Sequence, residues 1–529
     1  MVLYNKIEIL VSQLLFAMLC CGALFVNSNN YTDNYIMPKL LVSILLASII
    51  IIVFSFQMLS HRSLKKIWNP RYLVYTILIT CIGEAIYGLL QYTHLIIGNN
   101  IYKGVTGSFD NSAGFASCLC LGLPFVFSLD KFASKRNIYL IILVLCIAIV
   151  AIILSKSRSG LVTIFSALCI VVLYKIHIPV LLKISLIILP FIILIGSYSI
   201  KKDSAKGRLL IWQCSVEMIK EKPLLGYGIH GFKSKYMNFQ ADYFKKNPNS
   251  KYSMLADNVS HPFNEYLYVL VNYGALGLLS IIFIMIGLYV CYVNNPTALN
   301  FSCIISLLSI LIFSLFSYPF RYPFTWIILV LDAIFLLNKP LASINKQLMD
   351  CVAWGLLIIC PICIFYISQR SNAEKRWNIL EQRSETSRDI DIIKGYNKLI
   401  PVLGNDPYFL YNYAVVLNDY KMYVESNQIM QRCSNFLNDY DCQLLIADNY
   451  YQMRNKKLAE IYYQQAAYMC PNRFMPLYYL FKIEVIDNRT KACHLAMIIK
   501  NKKVKIPSWT IDDIKQEAIL YLQKQKSNI

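Results

Sequence analysis

The chain has 529 residues, of which 57% are hydrophobic and 15% charged, and its formal net charge is +21. Soluble domains carry roughly 25% charged residues, so this composition excludes a soluble globular enzyme and describes a polytopic membrane protein with an appended polar part. The positive charge lies mostly in loops and in the C-terminal tail. With no RNA- or DNA-binding motif it excludes nucleic acid, and points instead to anionic membrane lipids and an anionic substrate.

A helix of about 20 apolar residues crosses a bilayer core. Eleven runs fit, beginning near residues 7, 37, 71, 111, 137, 159, 179, 264, 299, 323 and 350. The first, from Ile7 to Val26, has no small-residue cleavage site at its end and reads as an uncleaved anchor. The fourth is the weakest, because Gly114, Ser117 and Gly122 dilute it. Basic segments follow the second run (HRSLKKIWNPR), the fourth (DKFASKR) and the tenth (NKPLASINK). These are alternate connections, so they share the cytoplasmic side with the N-terminus. An odd number of spans then sends the C-terminus outside. The outer face receives loop 93–110, the turn SKSRSG (155–160), the long loop 199–262 and the turn SYPFRYP (317–323).

After Ile367 the composition turns polar and aromatic-rich, with helical patterning. Ala414, Ala447 and Leu480 recur at a spacing of 33, and Ala459, Ala466 and Pro471 follow the second of them at tetratricopeptide-like offsets. The expected architecture is an all-α polytopic membrane domain over 1–368, which includes the outer loop, and an outer helical-repeat domain over 369–529. Such repeats bind partner proteins and perform no chemistry.

The chain has no Walker loop, no GxGxxG after a strand, no HExxH and no DxD pair in the outer loops of the membrane domain, and its CxxC, Cys360–Cys363, lies in an apolar run without a histidine beside it. This argues against an ATPase, a dehydrogenase, a zinc hydrolase and a metal-dependent nucleotide-sugar transferase. No metal and no cofactor is expected. What remains is a set of outer-face groups. Arg158 lies in SKSRSG, where the planar fork of a guanidinium suits phosphate oxygens better than neighbouring Lys156 does. Arg208 precedes a predicted amphipathic helix, Leu209 to Lys220, that carries Trp212; Pro223 ends it, and Gly226 and Gly228 make a turn. Arg321 in SYPFRYP is a third candidate anion clamp. His261 stands just before a span, with Asn264 as the expected N-cap of that span, and its imidazole can take a proton near neutral pH. His230, in the same outer loop, ranks second. Several arginines, a candidate base and no metal ligands fit a lipid-linked pyrophosphate, whose departing charge arginines stabilise.

Four motifs resemble the O-antigen ligase and polymerase family of bacterial envelope glycosyltransferases: GSFDNSAGFA (107–116), SKSRSGLV (155–162), GRLLIWQCSVEMIKEKPLLGYGIHGF (207–232) and HPFNEYLYVLVNYGALGLL (261–279). The resemblance spans about Gly104 to Phe335. It implies a C-type, metal-independent, inverting transferase of the bacterial inner membrane. Such an enzyme moves a glycan from undecaprenyl pyrophosphate to an acceptor on the periplasmic side, the acceptor being lipid A core, a protein or another glycan. It also implies that Arg158 and Arg208 grip the pyrophosphate, that a loop histidine activates the acceptor, and that Asn111 supports the site from the first motif. Members often carry histidine beside the asparagine that precedes the span. Here Phe263 stands next to Asn264, which leaves His261 as the candidate and makes Glu265 its rival. A repeat-unit polymerase is the alternative function and a lipid-linked glycan transporter the lesser one.

Overall fold

The computed structural model describes residues 2–60, 69–96, 104–132, 135–175, 179–198, 202–338 and 345–527. Much of the basic segments from which orientation was read (61–68, 133–134 and 339–344) lies outside the described residues, as do 97–103 and 199–201 of the two loops expected on the outer face. The described chain is helical, with no strand. Its contacts divide it into two units.

The first unit comprises residues 1–200, 263–265 and 280–378. It contains α1 (Val2–Phe25), α2 (Ile36–Ser60), α3 (Pro70–Tyr92), α4 (Ser112–Gly122), α5 (Lys135–Leu154), α6 (Arg158–Lys175), α7 (Val180–Tyr198), α11 (Ala298–Ser314) and α12 (Pro323–Leu336), with parts of α10 (Glu265–Val293) and α13 (Lys346–Thr386). Among the described residues, five helical stretches are long and apolar enough to cross a membrane: 36–60, 70–92, 112–129, 265–293 and 346–386. Six shorter apolar helices, in α1, α5, α6, α7, α11 and α12, stand where the other six runs were expected.

The weak fourth run is the most enclosed of the long stretches. Its helix α4 passes into a 3-10 helix, Leu123–Phe132, and every residue from Gly114 to Val126 is buried. The small residues that dilute its hydropathy are the ones that admit close neighbours. A Cβ on Gly122 would lie 2.3 Å from the Cys81 sulfur.

The second unit comprises residues 201–262, 266–279 and 379–529. The long loop is not irregular. It forms α8 (Lys202–Glu221) and α9 (Gly231–Lys246). Helix α8 starts earlier than the amphipathic pattern suggested, with Asp203 in its first turn, where a carboxylate meets the positive end of the helix dipole. Arg208 is therefore inside the helix. The tail forms α14 (Ile390–Leu403), α15 (Pro407–Asp419), α16 (Tyr423–Cys433), α17 (Tyr440–Gln452), α18 (Lys456–Met469), α19 (Met475–Asp487), α20 (Arg489–Asn501) and α21 (Trp509–Ser527). Side-chain N-caps mark the starts of five of them: Asp389, Asp406, Asp439, Asn455 and Asn488. The 33-residue spacing falls on every second helix. Ala414 and Ala447 are fully buried on α15 and α17, and Leu480 is buried on α19.

Candidate functional site

Helix α10 breaks at Gly274, where φ is 62° and ψ is −163°. In an unbroken helix the Ala275 and Leu276 amides would bond the carbonyls of Val271 and Asn272. Here they donate to Pro223 (2.8 Å) and Leu224 (3.2 Å), while Tyr227 and Gly228 donate to Val271 (2.9 Å) and Asn272 (2.8 Å). The segment PLLGYG thus takes up all four backbone groups that the break releases. Unpaired, each would cost several kcal/mol in an apolar setting. The glycines follow from this exchange. A Cβ on Gly274 would lie 2.2 Å from the Leu224 carbonyl oxygen, and one on Gly226 would lie 2.5 Å from the Val271 oxygen. Asn272, fully buried, accepts a further bond from the Phe232 amide at 2.9 Å and so fixes the GIHGF turn at the start of α9.

In the same unit, the ring of His261 stacks on Tyr268, with centroids 4.4 Å apart. The Trp212 indole on α8 donates to the Pro262 carbonyl at 2.9 Å. The motif tryptophan therefore holds the residue next to His261. Arg208 is half-buried on α8. His230 meets the edge of Phe436 at 5.1 Å, and burial together with the charge of Lys233 lowers its pKa below the ordinary imidazole value.

The approach to His261 is held by the tail. Asn472 donates to the carbonyls of Ala256 (2.6 Å) and Met254 (3.2 Å). Gln240 on α9, fully buried, donates to the carbonyls of Met469 (2.7 Å) and Asp257 (3.2 Å). Asn258 bridges to Asp441 at 2.6 Å and receives the Tyr440 amide at 3.1 Å. Arg473 pairs with Asp257 at 2.8 Å.

In the first unit, Arg158 opens α6 and is half-buried. The turn before it contains Lys156 in the left-handed region (φ 53°), exposed between the buried Ser155 and Ser157. Glu265, buried at the start of α10, accepts a hydrogen bond from the Phe320 amide, and so ties the SYPFRYP turn to the residues just before the span. Phe263 has φ 54°, which is strained for a bulky residue, and its ring lies 5.4 Å from Tyr318. Asn264 lies between them, immediately before α10.

Asn111 caps α4, accepting from the amides of Ala113 (2.9 Å) and Gly114 (3.0 Å). Its amide group donates to Asp110 (3.1 Å) and to the hydroxyls of Tyr322 (2.8 Å) and Tyr318 (3.3 Å). Arg321 lies 3.7 Å from Asp110. Burial opposes the charge of Arg321, but Asp110 together with Tyr322, Tyr318 and Asp33 outweighs it and holds the guanidinium pKa above its ordinary value. Arg321 is thus a partner of Asp110, whose negative charge opposes the phosphate that Arg321 alone would attract.

Within the first unit, the structure brings together Asn111, Arg321 and Glu265, through Tyr318, Tyr322 and the turn at Phe320. Within the second it links Trp212 with the residues at His261, and Gly226 and Gly228 with α10. Sequence reasoning missed Asp110, Asn272 and Tyr318, although each lies inside or beside a quoted motif. Among the described residues no three His, Cys, Asp or Glu side chains gather in a way that could hold a metal ion.

Residues 141–282 match a family model described as O-antigen ligase. The resemblance read from the motifs is therefore shown over that stretch, which includes SKSRSGLV, the Arg208–Phe232 motif and HPFNEYLYVLVNYGALGLL. GSFDNSAGFA and Arg321 fall outside it. A search of curated proteins found no match.

Proposed function

We propose that the chain transfers a glycan from undecaprenyl pyrophosphate to an acceptor hydroxyl on the periplasmic face of the bacterial inner membrane, as a metal-independent inverting glycosyltransferase. The observation that carries this reading is the O-antigen ligase match over 141–282, which contains Arg158, Arg208 and His261. The match points to ligase- or polymerase-type activity in general. The donor, acceptor, side and mechanism are the proposal.

In this reading Arg158 and Arg208 hold the pyrophosphate and stabilise the charge that grows on it as the glycosidic bond breaks. His261 takes the proton of the attacking acceptor hydroxyl, and Glu265 is its rival for that role. The stacking of His261 on Tyr268 and the bond from Trp212 to its neighbour would fix the imidazole in place. The tail, read as tetratricopeptide-like, serves the loop and could serve an outside partner through its remaining surface.

A repeat-unit polymerase is the second reading, because it uses the same donor and differs only in the acceptor. Transport is less favoured. Transporters use broken helices to expose half-helix ends to substrate and ions, whereas the four groups released at Gly274 are taken by PLLGYG. Deleting the gene and separating envelope glycans and glycoproteins on a gel tests the proposal. Loss of polymer from lipid A marks a ligase, loss of ladder length a polymerase, and loss of glycoprotein bands a protein acceptor. An unchanged pattern of all three would contradict a transferase.

A further inference from the structure

Cys433 closes α16 and Cys442 lies in the first turn of α17. Both side chains are buried, at 0% and 1% exposure. Their sulfurs converge on one carbonyl oxygen, that of Leu437, at 3.9 Å from Cys433 and 4.0 Å from Cys442, and the two thiols hydrogen-bond to each other. Two sulfurs already in contact, on helix ends joined by a short connection, can be bridged with little backbone movement. With no third His, Cys, Asp or Glu gathered beside them among the described residues, the pair does not make a metal site.

The helix ends are anchored around this pair. Cys433 also donates to the Pro407 carbonyl at the start of α15, at 3.4 Å, and the Cys442 amide donates to the Asp439 cap at 3.0 Å. The residues between the two cysteines carry contacts to the long loop. The Asn438 amide donates to the Lys233 carbonyl at 3.2 Å, and its side chain donates to Asn238 at 3.3 Å. Phe436 meets His230, while Asn258 donates to Asp441 and accepts the Tyr440 amide.

We propose that Cys433 and Cys442 are joined by a disulfide that staples the base of this turn. The proposal rests on the outer placement of the tail, because disulfides persist in oxidising compartments and are rare in the cytosol. Its formation breaks both S–H bonds, makes one S–S bond and releases two protons and two electrons. The electrons pass to a protein disulfide acting as exchange partner, which leaves as a dithiol. The bridge forms while the turn is still open. Once packed, the hydrogen bond with Cys433, burial and the charge of Asp439 hold the Cys442 thiol well above its ordinary pKa, so the attacking thiolate is scarce. The bridge removes open conformations of the turn, and so keeps Asn438, Tyr440 and Asp441 presented to the loop that leads to His261.

Trypsin cuts after Arg432 and Arg454, so both cysteines fall in one peptide, 433–454. Cells expressing the full chain are quenched in acid, denatured and alkylated with N-ethylmaleimide without reduction, and the mass of that peptide is measured. It should be lighter by two hydrogens and carry no alkyl group, and should carry two after reduction. Two alkyl groups without reduction overturn the bridge. Lys503→Cys, at an exposed position of the tail, is probed in parallel in intact cells with a membrane-impermeant maleimide. Labelling there with two free thiols at 433 and 442 sinks the bridge alone, and no labelling with two free thiols sinks the outer placement with it. A bridged peptide without labelling keeps the bridge and sinks the outer placement. On the purified chain, reductant should speed chymotrypsin cleavage within 434–441 and 247–258 about tenfold or more, and leave the Cys433→Ala/Cys442→Ala chain unaffected. An equal response of the two chains overturns the stapling role.

Discussion

The carbonyl of Pro223 accepts the Ala275 amide at 2.8 Å, taking a bond that Val271 would hold in a continuous helix. Helix α10 and the PLLGYG segment are therefore one backbone-paired element, and the glycines on both sides of the exchange are structural requirements. The two motifs that looked separate in sequence are halves of a single construction.

Gly274→Ala should destabilise the protein by more than about 2 kcal/mol, because a Cβ would sit against the Leu224 carbonyl at a positive φ. Gly228→Ala is the control. Its φ is 88°, but nothing lies within 4 Å of the added carbon, so only the conformational cost of about 1 kcal/mol remains. Thermal melting of the two purified variants compares them directly. Equal shifts would mean that the close approach at Gly274 is unimportant.

The tail should be needed for transfer to any acceptor, and not only as a recruiter of partners, because its residues hold 254–258 just upstream of His261. Asn472→Ala leaves the carbonyls of Met254 and Ala256 without that donor, at a cost of about 1–3 kcal/mol. Faster proteolysis within 247–258 and a lower kcat are expected. Removal of 379–529 with full transfer to a small acceptor would show that the tail is separable.

The loop should loosen from the tail in acid. Burial favours the neutral form of Asp257, but the hydrogen bond from Arg473 and the charge of Lys505 outweigh it and lower its pKa. A carboxylate with a depressed folded pKa contributes stability above its unfolded value, about 3.9, and loses it as pH falls through the folded one. Half-exposed pairs of this kind contribute up to about 1 kcal/mol. The melting difference between wild type and Asp257→Asn should be present at pH 7 and shrink as pH falls below about 3.9. A difference of the same size at pH 7 and at pH 2 would rule out the ion pair as its source.

His261→Ala should lower kcat by about 10²–10⁴, the usual contribution of a general base, with little change in donor binding, whereas Glu265→Gln should remain active. The reverse pattern would assign the base to Glu265, which the Phe320 amide already orients.

The helical class was legible from hydropathy, because burial in a bilayer demands long apolar stretches; of the eleven apolar runs, five form helices long enough to cross a membrane among the described residues and six form shorter ones. The turns expected on the outer face were legible as motifs. In the long loop α8 was legible as the amphipathic stretch Leu209–Lys220, but α9 and the bonds to the tail were not, because Asn258, Gln240 and Asn472 are ordinary polar residues whose partners lie far away in sequence. Asp110 was overlooked for the same reason. Its meaning depends on Arg321 and Tyr322, which lie on another connection. Gly274 reads as one small residue in an apolar run until the hydrogen bonds of PLLGYG are seen beside it.

The most direct test of the central claim is glycan transfer by the purified full chain with lipid-linked oligosaccharide, an excess of chelator and the native acceptor, following released undecaprenyl pyrophosphate. Wild type should release it together with glycosylated acceptor. Arg158→Ala and Arg208→Ala should insert into membranes normally yet lose at least about 100-fold in rate, as expected when a group that stabilises the developing charge is removed. No release by the wild-type chain, or full rates in both arginine variants, would contradict the account.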